Sequence, residues 1–256
     1  MIFVRRGGEV FGFLLEISRA LNLLPCPLCG SGDGGGRGLL CPECLAGLPL
    51  LPVDRHHCPG CGGVLDGPLA MCGACMSGAD RPWQDAASVL EYRGEGARFI
   101  KRFKSGHAPE LARPLGFFGA RPVREYGWNA DTIVPVPLRF WRWWRRSYNQ
   151  SELFGRRLAA ELGIAQVKAL RRLAGGRKQA GLSRTGRLRN RIRFEVIRPE
   201  AVRGRRVILV DDVFTTGTTL AAAAKALWKA EPAALFVLTC ARTPLFRYNG
   251  RLSTPR

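Results

Sequence analysis

One stretch of the chain, residues 207–220, constrains the fold more than any other. It opens with four apolar residues, Val207 to Val210, which are typical of a strand buried on both faces of a parallel sheet. Asp211 and Asp212 follow where such a strand is expected to end, and a Thr/Gly loop comes next. Residues 220–228 are rich in alanine and leucine and predict a helix. Strand, loop and helix in this order predict an α/β fold, a parallel sheet with flanking helices.

The same stretch predicts a site for a phosphorylated ligand. The start of a helix offers unpaired backbone N–H groups and the positive end of the helix dipole, and Gly217 permits a tight or left-handed turn. Four threonines add hydroxyl donors: Thr215, Thr216, Thr218 and Thr219. The acid pair suits vicinal hydroxyls or a Mg²⁺ ion carried by the ligand, so a sugar phosphate is expected. The alternative is an ordinary strand-to-helix turn in which an aspartate caps the helix.

Eight cysteines form four C-x-x-C pairs near the N-terminus. They are Cys26/Cys29, Cys41/Cys44, Cys58/Cys61 and Cys72/Cys75. Each C-x-x-C turn can place two sulfurs on one ion, and four thiolates complete a tetrahedral structural site, so the pattern predicts two Zn²⁺ ions. Disulfides are the alternative, which the expected cytoplasmic location disfavours.

The grouping of these pairs is open in the sequence. Sequential sites leave spacers of 11 and 10 residues between pairs and are the preferred arrangement, while a crossed arrangement is the alternative. His56 and His57 lie beside Cys58 and could replace a thiolate as ligands. Cys240 stands alone in an apolar run and is predicted to be a buried core residue.

Charge is the second strong signal. The formal net charge is +20, and residues 139–193 hold 16 Lys/Arg against two acids, which favours polyanionic partners such as nucleic acid or phosphates. The alternative is a genomic preference for arginine. Trp141, Trp143 and Trp144 alternate with arginines and could stack on single-stranded bases, or could pack over a sheet edge.

The remaining patterns organise the chain. Expected domains are a double zinc ribbon at 22–80, an α/β domain at 84–243 and a loose tail at 244–256. Expected strands are 87–92, 132–137 and 233–239, with a short strand or a turn at 167–173, and expected helices are 11–24, 94–104, 108–118 and 150–162. A polar, arginine-rich segment at 177–194 is expected to be mobile or a basic surface loop. No membrane span and no signal peptide is recognised, so a cytoplasmic protein is expected.

The acid pair and the Thr/Gly loop resemble the phosphoribosyl-pyrophosphate (PRPP) loop of type I phosphoribosyltransferases. That resemblance implies that Asp211 and Asp212 hold the ribose hydroxyls and that Thr215 to Thr219 hold the 5′-phosphate. It also implies Mg²⁺ bound with PRPP and a pyrophosphate site after the first core strand, where Arg145 and Arg146 lie. The basic loop with Arg177 and Lys178 would close over the ligand. No catalytic residue is identified.

Three features together resemble the ComF (ComFC) family: the four C-x-x-C pairs, Val-Pro-Val-Pro-Leu138 followed by Arg-Arg-Ser-Tyr-Asn-Gln-Ser151, and Gln179-x-x-Leu182 with Arg187 and Asn190. One departure is Ser147, where the family usually has glycine. The resemblance implies a role in natural competence, with single-stranded DNA and DNA-uptake or recombination proteins as partners. Two interpretations stay open: a phosphoribosyltransferase of unidentified acceptor, and a non-catalytic nucleic-acid-binding module that senses a ligand.

Overall fold

The computed structural model describes residues 25–32, 39–105, 108–138, 148–173, 192–248 and 251–253. The predicted helix at 11–24 lies outside these residues. The chain divides into two compact units, Met1–Leu48 and Pro49–Arg256, so the two halves of the cysteine-rich region belong to different units. Within the described part of the chain, no helix combines the length and apolar character needed to cross a membrane.

Helices and strands are numbered in chain order. The helices are α1 Pro42–Ala46, α2 Gly73–Met76, α3 Gly94–Lys104, α4 Ala112–Glu125, α5 Gln150–Leu162 and α6 Thr218–Trp228, with 3-10 turns at Pro109–Leu111 and Pro199–Ala201. The strands are β1 Asp85–Glu91, β2 Thr132–Pro135, β3 Ala165–Gln166, β4 Leu170–Arg172, β5 Phe194–Val196, β6 Arg206–Phe214, β7 Ala234–Arg242, β8 Phe246–Tyr248 and β9 Arg251–Ser253.

A five-stranded sheet forms the centre of the second unit. Its order is β1-β7-β6-β2-β3, and each pair of neighbours is parallel. The residues Val207 to Val210 of β6 are fully buried, as the continuous apolar run predicts for a strand covered on both faces. Ala223, Ala224 and Leu227 of α6 are buried in the same core. The predicted parallel α/β fold is therefore confirmed.

The central strand β6 is longer than predicted, because it continues through the acid pair to Phe214. On one side, pairing with β7 runs on past Asp211 to Phe214, which lies opposite Arg242. On the other side, β2 pairs only as far as Pro135 opposite Val210, and Pro137 has no N–H to extend the ladder. The β2–β6 ladder therefore ends one residue before the acid pair, whereas the β6–β7 ladder continues past it.

Two small antiparallel sheets flank the main sheet. The segment 167–173, expected to be a short strand or a turn, contains β4, which begins at Leu170 and pairs with β5. The expected loose tail contains a hairpin, β8 with β9, in which Tyr248 lies opposite Arg251. In the sequence, Asn249-Gly250 separates these two strands, and this dipeptide is favoured in two-residue hairpin turns.

Candidate ligand site and metal centres

The acid pair lies at the carboxyl end of the sheet, between side chains from two helices. Asp211 Oδ1 accepts a 2.9 Å hydrogen bond from Ser151 Oγ and a 2.8 Å bond from the Asp212 backbone N–H. Lys104 Nζ lies 2.9 Å from Asp212 Oδ2, and both side chains of this ion pair are mostly buried, at 22% and 18% exposed. The two carboxylates are thus oriented by named partners from α3 and α5.

Asp211 has an unusual protonation equilibrium. Burial, and after it the adjacent charge of Asp212, raise its pKa to about 7, although hydrogen bonds from the Asp212 amide and Ser151 and the charge of Lys104 act in the opposite direction. The carboxyl therefore titrates near neutrality. A cation or a pair of donor hydroxyls at this position would favour the ionised form.

The loop after the acids has the geometry expected of an anion site. Gly217 adopts a left-handed conformation with a φ of +74° and forms the N-cap of α6. Thr216 and Thr218 are exposed, and their hydroxyl oxygens lie 2.9 Å apart. Thr215 is exposed and Thr219 is half-buried. The helix begins at Thr218, so the first-turn N–H groups and the threonine hydroxyls occur at one position beside the acid pair.

Hydrogen bonds hold the motif Tyr148-Asn149-Gln150-Ser151 beside the acid pair. The Tyr148 hydroxyl donates to the Phe103 carbonyl at 2.6 Å, next to Lys104. Asn149 Nδ2 donates to the Val136 carbonyl at 3.2 Å, and Asn149 Oδ1 accepts from the Ser151 N–H at 3.1 Å as the N-cap of α5. These bonds set Ser151 against Asp211.

Two functional candidates were not singled out from the sequence alone. In the sequence, Lys104 is only the last residue of the predicted helix at 94–104, and Ser151 is only the last residue of a motif. The signal for Ser151 was its place in the resemblance to ComF proteins, whereas nothing in the local sequence pairs Lys104 with Asp212. The predicted pyrophosphate residues Arg145, Arg146, Arg177 and Lys178 lie outside the described residues.

The cysteines gather in two groups of four, in the sequential arrangement. One group is Cys26, Cys29, Cys41 and Cys44, and the other is Cys58, Cys61, Cys72 and Cys75, each with its sulfurs within 4.8 Å of one another. The Cys29–Cys41 and Cys61–Cys72 sulfur distances are both 3.6 Å. A tetrahedral zinc with Zn–S bonds of about 2.3 Å places its sulfurs about 3.8 Å apart, so both groups fit a metal ion and are consistent with zinc ribbons.

Backbone N–H groups support the sulfurs in the same way in both groups. The Cys41 N–H donates to Cys26 Sγ at 3.4 Å, and the Cys72 N–H donates to Cys58 Sγ at 3.3 Å. The nearby histidines are engaged elsewhere, because His57 Nε2 lies 2.8 Å from Asp85 Oδ1 and His56 Nε2 lies 2.7 Å from the Leu69 carbonyl. Each described group is therefore a four-thiolate set.

The two groups differ in their surroundings. In the first unit Cys29 is exposed, whereas all four cysteines of the second group are buried in the core of the second unit with Trp83 and Phe214. The buried Arg242, at the end of β7, places Nη2 3.7 Å from Cys61 Sγ. A buried guanidinium is a suitable partner for a thiolate cluster of net negative charge.

The fold and the site together define a class, that of proteins with a phosphoribosyltransferase domain. Residues 149–244 match the family described as "Phosphoribosyl transferase domain". The chain is 34% identical over 195 residues to the DNA utilization protein YhgH of Salmonella typhimurium, covering 73% of this chain and 84% of that protein.

Two further relatives narrow the class. The chain is 32% identical over 227 residues to the DNA utilization protein YhgH of Escherichia coli, covering 85% of this chain and 96% of that protein. It is 32% identical over 199 residues to Competence protein F of Haemophilus influenzae, covering 74% and 84%. The chain belongs to the ComF family.

Proposed function

We propose that this protein binds PRPP, or a similar ribose 5-phosphate, with Mg²⁺ at the acid pair and the Thr/Gly loop. The single observation that carries the proposal is that the acid pair, Asp211 and Asp212, comes shortly before the N-terminus of α6. Gly217, in a left-handed conformation, connects the two. A phosphate at the loop would receive first-turn N–H groups and hydroxyls from Thr215 to Thr219. The ribose hydroxyls would then donate to the carboxylates.

The charges of the site favour a magnesium-bound ligand. Lys104 offsets one of the two carboxylate charges, and the raised pKa of Asp211 shows that burial and the charge of Asp212 disfavour its ionised form, which a bound cation would stabilise. Mg²⁺ prefers one or two carboxylates together with phosphate oxygens and water, and PRPP supplies those phosphate oxygens. Mg²⁺ in this complex would neutralise charge that develops on pyrophosphate.

The chemistry open to such a site is transfer of the phosphoribosyl group. The bond from the anomeric carbon to pyrophosphate would break, and a bond from that carbon to an acceptor nitrogen would form, with the nitrogen's proton passing to solvent. The chain's own residues would hold the sugar and stabilise charge rather than act as a general base. Arg145, Arg146, Arg177 and Lys178 are proposed to hold the departing pyrophosphate.

Thermal melting tests ligand binding at the acid pair. Wild-type protein should melt at a higher temperature when PRPP and Mg²⁺ are present, because a ligand that binds only the folded state stabilises it. The double variant Asp211→Asn/Asp212→Asn should lose this rise while keeping two zinc ions per chain. Equal rises in both proteins would place the ligand elsewhere.

A second function, binding of single-stranded DNA in the cytoplasm during natural competence, is supported by a separate observation. Helix α3 buries Phe99 and Phe103 and exposes the basic side chains of Arg98, Lys101 and Arg102. It ends at Lys104, beside the acid pair. The relatives are named as competence and DNA utilization proteins. We propose that α3 and the basic, aromatic residues 139–147 bind the strand as it is handled with uptake or recombination proteins.

The DNA proposal has its own test. In mobility-shift titrations with a single-stranded oligonucleotide, affinity should fall steeply with salt. Arg98→Glu/Lys101→Glu should reduce both the affinity and the salt slope, whereas Arg203→Glu, a charge change outside α3, should have a smaller effect. Asp211→Asn/Asp212→Asn should bind DNA as wild type does. Salt-independent binding would contradict the proposal.

Mass analysis of products after incubation with PRPP and the oligonucleotide would then show whether DNA is the acceptor or whether the module is non-catalytic.

Both cysteine groups are proposed to hold structural Zn²⁺. Four thiolates close the coordination sphere and leave no position for a reacting water, so the ions stabilise the fold. Metal analysis should give two zinc ions per chain.

A further inference from the structure

The segment Asp80–Trp83 connects the second cysteine group to β1, and it also contacts the ligand loop. Arg81 Nη2 donates a 2.9 Å hydrogen bond to the Thr216 carbonyl, a contact between residues 135 positions apart. The Arg81 guanidinium carbon lies 5.7 Å from the centre of the Trp83 ring and 5.2 Å from the centre of the Phe214 ring. Two aromatic rings and one backbone carbonyl therefore hold the guanidinium in place.

Arg81 reaches from the cysteine group to the loop. At the near end, a Cβ placed on Gly60, in the turn between Cys58 and Cys61, would lie 3.5 Å from Arg81 Cγ and 2.8 Å from Cys75 Sγ. At the far end, a Cβ placed on Gly217 would lie 2.6 Å from Arg81 Nη1. The Arg81 side chain therefore lies within ordinary contact distance of the Gly60 position and leaves no room for a Cβ at Gly217.

The rest of the segment is attached to helix α6, which begins at the loop. Trp228 Nε1 donates to the Pro82 carbonyl at 2.7 Å, and Lys225 pairs with Asp80. Trp83 is buried in the core that also contains Cys58, Cys61 and Phe214. The ligand loop and helix α6 are therefore held in place by the segment Asp80–Trp83, which follows the second cysteine group in the chain.

We propose that Arg81 is a positioning residue for the phosphate loop, and that through it the second zinc site controls how firmly that loop is held. The proposal concerns only the second cysteine group, which belongs to the same compact unit as the loop. The inference rests on the proposed function for the identity of the ligand, but the coupling is a property of the ligand-free protein. It assigns the second zinc ion a role in ligand binding as well as in folding.

Hydrogen–deuterium exchange of the ligand-free protein tests the coupling directly. In Arg81→Ala the amides of residues 215–219 should exchange about tenfold faster, because a charge-assisted hydrogen bond and the packed guanidinium are lost. Peptides from β7 should be unchanged, and both zinc ions should be retained. Arg81→Lys, which keeps a donor and the aliphatic stem, should recover most of the protection. Unchanged loop exchange in Arg81→Ala, or equal loosening of β7, would overturn the proposal.

Matched cysteine variants separate the two zinc sites. Cys29→Ser should release one zinc ion and leave loop exchange at the wild-type rate, whereas Cys75→Ser should release one zinc ion and speed exchange in residues 215–219. If Cys75→Ser fails to fold, the Arg81 variants still decide the question. Calorimetry with PRPP on the same proteins should show weaker binding in Arg81→Ala and recovery in Arg81→Lys. Absence of PRPP binding to wild-type protein would refute the proposed function, while the exchange result would judge the coupling on its own.

Discussion

Ser151 Oγ lies 2.9 Å from Asp211 Oδ1, and this hydrogen bond joins two motifs that are 60 residues apart in the sequence. Ser151 is held in place because Asn149 caps α5 and also donates to the end of β2. The motif that ends at Ser151 and the acid pair of β6 are therefore parts of one site. The hydroxyl fixes the orientation of the first carboxylate.

Removing that hydroxyl should weaken ligand binding. Ser151→Ala takes one donor from Asp211, and PRPP affinity in the presence of Mg²⁺ should fall at least about tenfold, because one hydrogen bond to a charged group contributes about 1.5–3 kcal/mol. Ser105→Ala is the control, since its exposed hydroxyl donates only to the Arg102 carbonyl. Affinity that is unchanged in Ser151→Ala would show that the hydroxyl does not orient the carboxylate.

The raised pKa of Asp211 predicts a pH dependence of stability. Between the unfolded value of about 4 and the folded value of about 7, the folded chain keeps a proton that the unfolded chain has released. The free energy of unfolding should therefore fall as pH rises through this window. Asp211→Asn removes this titrating carboxyl. The free energy of unfolding of the variant, relative to that of wild type, should therefore increase by about 2 kcal/mol from pH 5 to pH 8.

A second aspartate provides the control for this measurement. Contacts with Arg206 lower the pKa of Asp131, so Asp131 stays ionised across the same pH range. Urea unfolding of Asp131→Asn should show a difference from wild type that is constant between pH 5 and pH 8. A constant difference for Asp211→Asn as well would mean that Asp211 is ionised throughout.

Loss of Lys104 should destabilise the protein more at high pH than at low pH. Lys104→Met leaves Asp212 without its 2.9 Å partner and beside a second carboxylate, and the cost at pH 8 should be about 1–2 kcal/mol. At pH 5 Asp211 is protonated, the repulsion is smaller, and so is the cost. Lys225→Met breaks a more exposed pair with Asp80 and should show a small, pH-independent effect.

Two glycines with similar backbone angles should respond differently to alanine. Gly204 has a φ of +65° with nothing near a Cβ, so Gly204→Ala should cost about 1 kcal/mol. Gly217 has a φ of +74°, and a Cβ there would lie 2.6 Å from Arg81 Nη1 and 2.8 Å from Phe214 Cζ. Gly217→Ala should therefore cost about 2–3 kcal/mol and also weaken PRPP binding. Equal costs at the two positions would show that the close approach at Gly217 is readily relieved.

The sequence predicted those parts of the fold that depend on local pattern. The apolar run of β6, helix α5 at Gln150–Leu162 and the C-x-x-C turns all carry their signals within a few residues. The carboxyl end of β6 was harder, because β7 continues to pair with it as far as Phe214 after β2 has stopped at Val210. Strand pairing between distant segments leaves no mark in the local sequence.

The contacts that complete the site are long-range and were not predicted. Lys104 belongs to α3 and meets Asp212 only because the sheet places α3 beside the end of β6. Arg81 is an ordinary basic residue in the sequence, yet it contacts Thr216, 135 positions away. The burial of the second cysteine group in the core of the sheet-containing unit also depends on tertiary packing, with Arg242 beside Cys61.

The central claim is that the acid pair and the Thr/Gly loop form one ribose-phosphate site, and calorimetric titration of the zinc-loaded protein with PRPP and Mg²⁺ tests it most directly. The account predicts one binding site per chain, abolished in Asp211→Asn/Asp212→Asn and retained in Asp131→Asn. No detectable heat with the wild-type protein, or equal binding by the double variant, would contradict it.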